Sequence, residues 1–302
     1  MPERAHYRTS LEDSARWDRL ELRPDDIVIS APSKSGTTWT QMICALLVFQ
    51  TPDLPAPLTT LSPWLDMMIR PVDDVVAQLA AQRHRRFIKT HTPLNGVPSS
   101  PGVTYVAVGR DPRDVAVSLY HQGQNLDRGV IARLLGEQPP EPKPVRATRS
   151  DERTMFLAWM SNDDSPFENL DSLRGLAWQQ AIAWSRRGDP DVVLLHYADL
   201  SRNLAAQMRL LAERLGIEIP EQTWPALVRA ATFDHMRERA DDLVPDERQP
   251  IFKARSRFFH SGTSGQWREW LTADDAARYE ARIAVLTTPD LARWLHHGAE
   301  LG

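Results

Sequence analysis

The stretch from residue 27 to residue 49 constrains the fold of this chain more than any other. Ile27–Ala31 is apolar apart from one serine, as is typical of a strand buried on both faces of a parallel sheet. From Thr37 to Phe49 the apolar residues take a helical spacing instead. The pattern predicts a strand, a tight turn over residues 32–36, and a helix that begins directly after the turn.

The same alternation returns along the rest of the chain. Apolar, strand-like segments occur at Arg86–Thr90, Thr104–Gly109 and Val192–His196. Strands that alternate with helices favour the α/β class, with a central parallel β-sheet flanked by helices on both faces. The chain has 302 residues, of which 42% are hydrophobic, and shows neither an internal repeat nor a sharp shift in composition. We therefore expect a single domain over residues 1–302.

Other helices and loops are predicted from apolar spacing, capping residues and prolines. Asp111-Pro112 combines an N-cap residue with proline at the first helical position. Further helical segments are expected at Val72–Gln82, Glu152–Met160, Leu173–Arg187 and Asp199–Leu215, the last with Leu204, Met208, Leu211 and Leu215 on one face. The proline-rich residues 136–144 predict an exposed loop, and the polar residues 241–257, which lack periodicity, predict a mobile lid.

Composition excludes several classes of protein. No apolar run approaches the ~18 residues that a membrane span needs, and the polar residues 1–20 make the cytoplasm the expected compartment. The single cysteine, Cys44, excludes an intramolecular disulfide and predicts a packed thiol. The net charge of −4 argues against nucleic acid or an anionic membrane as a partner, although it leaves a local basic pocket open. No carboxylate cluster has the spacing of a metal site, so no metal is expected.

The turn between the first strand and its helix predicts an anion site. The backbone N–H groups and the positive end of the dipole at a helix N-terminus suit a phosphate. Gly36 permits close approach, and Ser35, Thr37 and Thr38 add hydroxyl donors. The phosphate loop of nucleotide triphosphatases is different, because its lysine follows its last glycine, whereas Lys34 lies two residues before Gly36.

The segment Lys34-Ser35-Gly36-Thr37-Thr38-Trp39 closely resembles the 5′-phosphosulfate loop of the cytosolic-type sulfotransferases, which use 3′-phosphoadenosine 5′-phosphosulfate (PAPS). Ser33 interrupts the family's usual Pro-Lys adjacency but leaves this core intact. Further segments resemble the family's motifs in the family's order: Lys89–Leu94, Val108–Ser118, Tyr197, Ala231–Met236 and Phe258–Arg268. The resemblance covers residues 26–271 and implies a P-loop-like strand, turn and helix around the phosphosulfate.

The resemblance also implies three chemical roles. His91 would take the proton from the acceptor hydroxyl, Lys34 would stabilise the leaving oxygen, and Lys89 would stabilise the transferring group. Each residue has an alternative interpretation: His91 could be a structural histidine, Lys34 a solvated surface lysine, and Lys89 part of a structural ion pair. The chain has only four lysines among 36 basic residues, and two of them lie in these motifs. A compact ammonium follows a bridging oxygen through bond cleavage more easily than a rigid guanidinium.

The remaining motif residues would hold the nucleotide. Arg110 and Ser118 would clamp the 3′-phosphate, with a salt bridge from Arg110 to Asp111 or Asp114 as the alternative. Ser118 would also restrain premature hydrolysis by contacting the catalytic lysine. Trp39 and Phe233 would enclose the adenine. The full nucleotide-binding set implied by the resemblance is Lys34, Ser35, Gly36, Thr37, Thr38, Trp39, Arg110, Ser118, Tyr197, Thr232, Phe233, Phe259, His260, Ser261 and Gly262.

The chain departs from the family's pattern near its C-terminus. His260-Ser261 stands where the family has an Arg-Lys pair that grips the 3′-phosphate, and the nearest possible replacements are Lys253, Arg255 and Arg257. The family's dimer motif is poorly matched from Arg268 onward, so the oligomeric state stays open. Four tryptophans lie on segments that surround the acceptor pocket in the family, although a core role is equally open for each: Trp64, Trp159, Trp178 and Trp184.

Together these features predict a metal-independent enzyme that moves a sulfuryl group from PAPS to a hydroxyl of a small-molecule acceptor, with 3′,5′-adenosine bisphosphate (PAP) as product. Two alternatives remain. A nucleotide kinase is disfavoured by the position of Lys34 in the loop. A non-catalytic protein that binds PAP is suggested by His260-Ser261 and disfavoured by the intact Lys34, Lys89 and His91.

Overall fold

A four-stranded parallel sheet forms the centre of the fold. The computed structural model describes residues 4–138, 149–243, 251–254, 257–258 and 262–299. The strands are β1 (Ile27–Ser30), β2 (Phe87–Thr90), β3 (Thr104–Gly109) and β4 (Val192–His196), in the order β2-β1-β3-β4. All four lie within one residue of the predicted bounds, and all are parallel, which confirms the α/β class.

Helices lie between the strands in the sequence and continue after the last strand. They are α1 (Thr37–Phe49), α2 (Leu58–Leu61), α3 (Val72–Ala81), α4 (Pro112–Asn125), α5 (Arg128–Leu134), α6 (Arg149–Ser161), α7 (Leu173–Ser185), α8 (Tyr197–Arg202), α9 (Leu204–Arg214), α10 (Trp224–Ala230), α11 (Phe233–Glu238), α12 (Ala240–Leu243), α13 (Ala273–Leu286) and α14 (Pro289–His297). Short 3₁₀ helices lie at Ser14–Arg19, Leu94–Gly96, Glu221–Thr223 and Gln266–Glu269. The predicted helices after residues 37, 72, 111, 152 and 173 are confirmed.

The two faces of the sheet pack against different helices because successive strand residues point to opposite sides. Ile29 and Val106 join a buried cluster with residues of α1 and α9. Val28 and Tyr105 join a second cluster that includes residues of α3 and α7 on the other face. Cys44 of α1 is fully buried in the first cluster, as predicted, and burial raises the pKa of its thiol to about 12.

The sheet order creates a crevice at the carboxyl end of β1. The chain leaves β1 towards β2 on one side and later returns to β3 on the other side. In open parallel sheets, ligands bind at such a switch point. The residues that follow the four strands therefore meet at one edge of the sheet, and three of these strands lead directly into the segments singled out from the sequence.

One predicted helix is wrong in its extent. The segment expected to be continuous from Asp199 to Leu215 consists of two helices, α8 and α9, divided at Asn203. Asn203 leaves the helical conformation, and its side chain accepts a hydrogen bond from the N–H of Ala206 to cap α9. The apolar face survives the division, because Met208, Leu211 and Leu215 are buried.

Two predicted surface segments are described only in part. Residues 139–144 of the proline-rich stretch, and residues 244–250 and 255–256 of the predicted lid, lie outside the described residues. The described remainder of the second stretch is not a surface loop throughout. Ile251 and Phe252 are buried against Ile131 of α5, and the N–H of Asp127 donates to the carbonyl of Ile251 at 2.8 Å.

Across the described ranges, no helix combines the length and the apolar character that crossing a bilayer requires. The same part of the chain contains no group of three His, Cys, Asp or Glu side chains arranged to hold a metal ion.

Candidate active site

The loop after β1 has a backbone shape that its sequence explains. Gly36 precedes α1 with φ of 104°, a conformation that disfavours residues with a side chain. A Cβ atom at this position would lie 3.2 Å from a ring carbon of Tyr197. Lys34 also takes a positive φ, of 65°. The turn therefore bends tightly over residues 32–36 and brings the N-terminus of α1 to the crevice, as predicted.

The loop holds polar atoms that lack partners. The hydroxyls of Ser35 and Thr37 are buried, as is Nε of Arg110, and none of the three has a hydrogen-bond partner within the described chain. Buried polar groups are normally satisfied. The oxygens of a bound phosphate or sulfate would satisfy these donors, so the residues present fit the nucleotide that the sequence predicts.

Arg110, directly after β3, is held by the loop and by an aromatic ring. Its Nη1 donates to the carbonyl of Lys34 at 2.9 Å, and its guanidinium lies 4.1 Å from the ring centroid of Tyr197. The alternative salt bridges are absent from the described residues, since Asp111 pairs with Arg113 at 2.8 Å and Asp114 accepts from the N–H of Gly265. The contacts with Lys34 and Tyr197 hold the guanidinium of Arg110 in a fixed position beside the loop.

His91, directly after β2, has one ring nitrogen engaged and one available. Its Nδ1 lies 2.6 Å from the carbonyl oxygen of Ala31, which can only accept, so Nδ1 carries the proton and Nε2 is unprotonated. The pKa of His91 is lowered to about 3, chiefly by burial and in part by the positive charges of Lys89 and Lys34. At neutral pH the ring is neutral, with Nε2 able to accept a proton.

Both motif lysines lie beside aromatic rings. Nζ of Lys89 is 3.7 Å from the ring centroid of Trp64, and Nζ of Lys34 is 4.8 Å from that of Phe258. Neither ammonium forms an ion pair with a carboxylate within the described residues. Burial lowers the pKa of Lys34 to about 7, aided by the charges of Arg110 and Lys89, and burial lowers the pKa of Lys89 to about 8. The structure thus gives no support to a surface lysine or a structural ion pair.

A buried carboxylate orders the chain around β2. Asp66 accepts hydrogen bonds from the hydroxyls of Thr90 and Thr92, and from Nε1 of Trp17 at 3.2 Å. Ser30 of β1 donates to the carbonyl of Thr92 at 2.7 Å. These bonds fix the backbone on both sides of His91. The sequence analysis missed Asp66, because no local pattern around it indicates a partner 24 residues away.

One cavity of about 420 Å³ joins most of the predicted site. Its lining includes Lys34, Gly36, Thr37, Thr38, Trp39, Lys89, His91, Arg110, Ser118, Tyr197, Phe233 and Gly262. Twelve side chains and backbones from six separate segments therefore meet at the carboxyl edge of the sheet, where the switch point lies. A smaller neighbouring cavity is lined by Lys34, Ser118 and Arg257.

Comparison with known proteins supports the same family. The sulfotransferase domain model matches residues 24–294. The chain belongs to the sulfotransferase family. The reaction that this sulfotransferase catalyses is the transfer of a sulfuryl group. A glycolipid sulfotransferase of Mycobacterium bovis is 43% identical over 315 aligned residues, which cover 99% of this chain and 96% of that protein. Sulfotransferase 1A1 of Rattus norvegicus is 27% identical and covers 88% of this chain and 85% of that protein.

Solved structures of other proteins share the fold. Mouse sulfotransferase SULT7A1 complexed with PAP matches with a TM-score of 0.68 and 17% identity, over 96% of this chain and 97% of that one. Retinol dehydratase in complex with androsterone and inactive cofactor PAP matches with a TM-score of 0.65 and 21% identity, over 91% of this chain and 84% of that one. At this level of identity, the two matches show that the fold is shared.

A few predicted residues of this sulfotransferase lie away from the cavity or outside the described residues. The hydroxyl of Thr232 donates to the carbonyl of Arg229 at 2.8 Å and caps α11, so it does not line the cavity. Ser35 is buried within the loop. Phe259, His260 and Ser261 lie outside the described residues, as does Arg255. Nζ of Lys253 donates to the carbonyl of Gln124, which leaves Arg257 as the described replacement nearest the loop.

The proposed adenine-binding aromatics lie close to the C-terminal motif of the sulfotransferase. Nε1 of Trp39 donates to the carbonyl of Ala231 at 2.7 Å, and its ring meets Tyr197 edge-on at 5.1 Å. A Cβ atom at Gly262 would lie 2.7 Å from the ring of Phe233. Trp39 and Phe233 both line the cavity, and their assignment to the adenine stays a prediction.

Of the four tryptophans in doubt, one lines the cavity. Trp64 reaches it, and its Nε1 is buried without a partner in the described chain. Trp159 is in the core, Trp178 donates to the hydroxyl of Tyr7, and Trp184 donates to Asp290. The rest of the cavity wall includes residues that the sequence analysis missed: Leu11, Glu12, Met67, Ile69, Leu126, Ile131, Asp171, Ile251 and Phe252.

Proposed function

We propose that this sulfotransferase takes its sulfuryl group from PAPS and transfers it to a hydroxyl of a glycolipid acceptor. The observation that carries the proposal is the meeting of His91, Lys34, Lys89 and Arg110 in one cavity, with Nε2 of His91 available and without carboxylate partners on the lysines among the described residues. The names of the 43%-identical relative and of the PAP-bound structures support this donor and this acceptor class.

The donor would lie along the loop and the edge of β3. The backbone at the start of α1 and the unpartnered hydroxyls of Ser35 and Thr37 would receive the 5′-phosphosulfate. Arg110 and Ser118, which both line the cavity, would hold the 3′-phosphate. The rings of Trp39 and Phe233 would contact the adenine.

The transfer needs one proton acceptor and one stabiliser of the leaving oxygen. The acceptor oxygen forms a bond to sulfur as the bond between sulfur and the 5′-phosphate oxygen breaks, with that electron pair going to the nucleotide. Nε2 of His91 takes the hydroxyl proton, and the ammonium of Lys34 stabilises the negative charge on the leaving oxygen. Lys89 stabilises the sulfuryl oxygens. No metal enters the proposed step.

The low pKa of His91 belongs to the protein without its anionic substrate. Lys34 and Lys89 both lower the pKa of His91 because their positive charges disfavour the imidazolium. Negative charge bound between these lysines would offset their effect and raise the pKa of His91. We infer that donor binding makes His91 a stronger base.

The acceptor side of the cavity suits an amphiphile. Met67, Ile69, Leu126, Ile131 and Phe252 give it an apolar wall. Such a wall favours a hydrocarbon chain over a wholly polar acceptor.

A cytoplasmic location, expected from the polar first twenty residues, stays a prediction.

A combination of binding and transfer assays tests this function. Thermal stabilisation should be larger with PAP than with ATP and magnesium, and radiolabelled sulfate should move from PAPS to a glycolipid. A preference for ATP would favour a nucleotide kinase. Tight PAP binding without transfer to glycolipids, phenols or aliphatic alcohols would favour a non-catalytic PAP-binding protein.

A further inference from the structure

We propose that the carboxylates of Glu12 and Asp171 bind hydroxyl groups of a sugar headgroup and so hold the acceptor at His91. This inference rests on the proposed function, because it assigns residues of this chain to the acceptor of that reaction. Neither residue belongs to the motifs that the sequence analysis singled out.

Backbone pairing fixes Glu12 at the wall of the cavity. The N–H of Met68 donates to the carbonyl of Leu11 at 2.8 Å, and the N–H of Asp13 donates to that of Asp66 at 2.9 Å. Glu12 forms an antiparallel bridge with Met67 between these two bonds. Its side chain is only 9% exposed and lines the cavity together with His91 and Lys89.

The carboxylate of Glu12 has no hydrogen-bond partner in the described chain, although the charge of Lys89 acts on it and opposes the rise in its pKa. It accepts no hydrogen bond and forms no ion pair there, although it is nine-tenths buried. Burial raises the pKa of Glu12 well above its usual range, and the charges of Asp66 and Asp171 act in the same direction. Burying such a group without a hydrogen bond is costly, and hydroxyl donors on a ligand would remove that cost.

Asp171 faces the same cavity from a second segment. It lies directly before Ser172, which caps α7, and it lines the cavity together with Ser33 and Lys34 of the loop. Asp171 therefore belongs to the part of the cavity wall next to the loop that carries Lys34. Nε1 of Trp64, buried and without a partner in the described chain, is a third polar atom on this side.

The combination of groups matches a neutral polyol. Sugar hydroxyls both donate and accept, so they can donate to the two carboxylates and accept from Nε1 of Trp64. In their ionised forms, Glu12 and Asp171 would repel an anionic acceptor. Lys34 and Lys89 line the same cavity and would repel a cationic one. A carboxylate can accept from two neighbouring hydroxyls at once, which a simple alcohol does not offer.

Binding to the PAP-loaded protein tests the proposal without turnover. The probes are octyl β-glucoside and 1-octanol, which share an alkyl chain but differ in the sugar, and each is titrated calorimetrically. The wild-type protein should bind octyl glucoside more tightly than octanol. Glu12→Gln should weaken octyl glucoside binding about 10- to 100-fold, should change octanol binding less than about threefold, and should leave PAP affinity unchanged.

Two further variants sharpen the comparison. Asp171→Asn should weaken octyl glucoside binding in the same direction. Glu168→Gln is the matched control, because Glu168 is an exposed carboxylate on the neighbouring loop and lies away from the cavity. Its affinities for both probes should equal those of the wild type.

The outcomes separate this inference from the proposed function. Equal binding of octyl glucoside and octanol by the wild type overturns the inference, as does an equal loss for both probes in Glu12→Gln. Discriminating binding without any sulfate transfer from PAPS to octyl glucoside or a glycolipid supports the inference but contradicts the proposed function. Sulfate transfer at the same kcat/KM in wild type and Glu12→Gln contradicts the inference alone.

Discussion

Nδ1 of His91 donates a 2.6 Å hydrogen bond to the carbonyl of Ala31, the residue that follows β1. This bond joins the proposed base to the strand that leads into the phosphate loop. It fixes the tautomer, because a carbonyl oxygen can only accept, and it keeps Nε2 unprotonated. The position of the base and the position of Lys34 are therefore set by the same short segment of backbone.

Replacing this histidine should separate binding from transfer. His91→Ala should lower the rate of sulfate transfer about 10²- to 10⁴-fold, the range expected for loss of a general base. PAP binding should persist, since the loop and Arg110 are intact, and it is measured by calorimetry. His297→Ala is the control, because that histidine is exposed at the end of α14. Unchanged turnover in His91→Ala would remove His91 from the mechanism.

A change from lysine to arginine tests the need for an ammonium at the loop. Lys34→Arg keeps the positive charge but introduces a planar group where the cavity holds Nζ beside the Phe258 ring. Transfer should fall by at least about 100-fold, consistent with loss of one stabilising donor at the leaving oxygen. Lys143→Arg, in the proline-rich stretch, is the matched change and should leave the rate as it is. Equal rates in the two variants would contradict the assigned role.

PAP affinity should depend on pH through the two lysines. The pKa of Lys34 lies at about 7 and that of Lys89 at about 8 in the ligand-free protein, chiefly because burial disfavours the ammonium. A bound anion favours the ammonium and raises both values. Well below pH 7 both lysines are protonated in the free and the bound state and add no pH dependence, while above pH 7 binding takes up protons. The affinity should then fall about tenfold per pH unit for each linked lysine.

Calorimetry in buffers of different ionisation enthalpy measures this proton uptake directly. Lys34→Met should bind PAP more weakly at pH 7 and should take up fewer protons at pH 8 than the wild type. A PAP affinity that stays constant from pH 7 to pH 9 would contradict the linkage.

The sheet and the loop could be predicted from the sequence because their signals are local. Ile27–Ala31 and Val192–His196 are continuous apolar runs, and Asp111-Pro112 starts its helix with residues that favour a helix N-terminus. Long-range contacts leave no such signal. The bond from Thr92 to Asp66 spans 26 residues, and only the folded chain brings them together.

The residues of the acceptor side could not be predicted from the sequence, because they too come together only through long-range contacts. Glu12, Met67 and Asp171 come from three distant segments, and each resembles an ordinary surface or core residue when read alone. The broken helix at Asn203 shows a related limit. The apolar face continues through the break, so the periodicity of the sequence predicts one helix. The structure shows two helices, because the side chain of Asn203 accepts from the N–H of Ala206 and caps the second one.

The glycine before α1 should tolerate no side chain. Gly36→Ala places a Cβ atom on a residue with φ of 104° and within 3.2 Å of Tyr197, whose ring also supports Arg110. We expect a loss of at least about 1 kcal/mol in the free energy of unfolding, measured by urea denaturation, and a weaker affinity for PAP because the loop and Arg110 both shift. Gly188→Ala is the matched control, since that glycine has an ordinary φ and open space around its would-be Cβ. If both variants unfold at the same urea concentration and bind PAP equally, the loop does not depend on the backbone shape described for it.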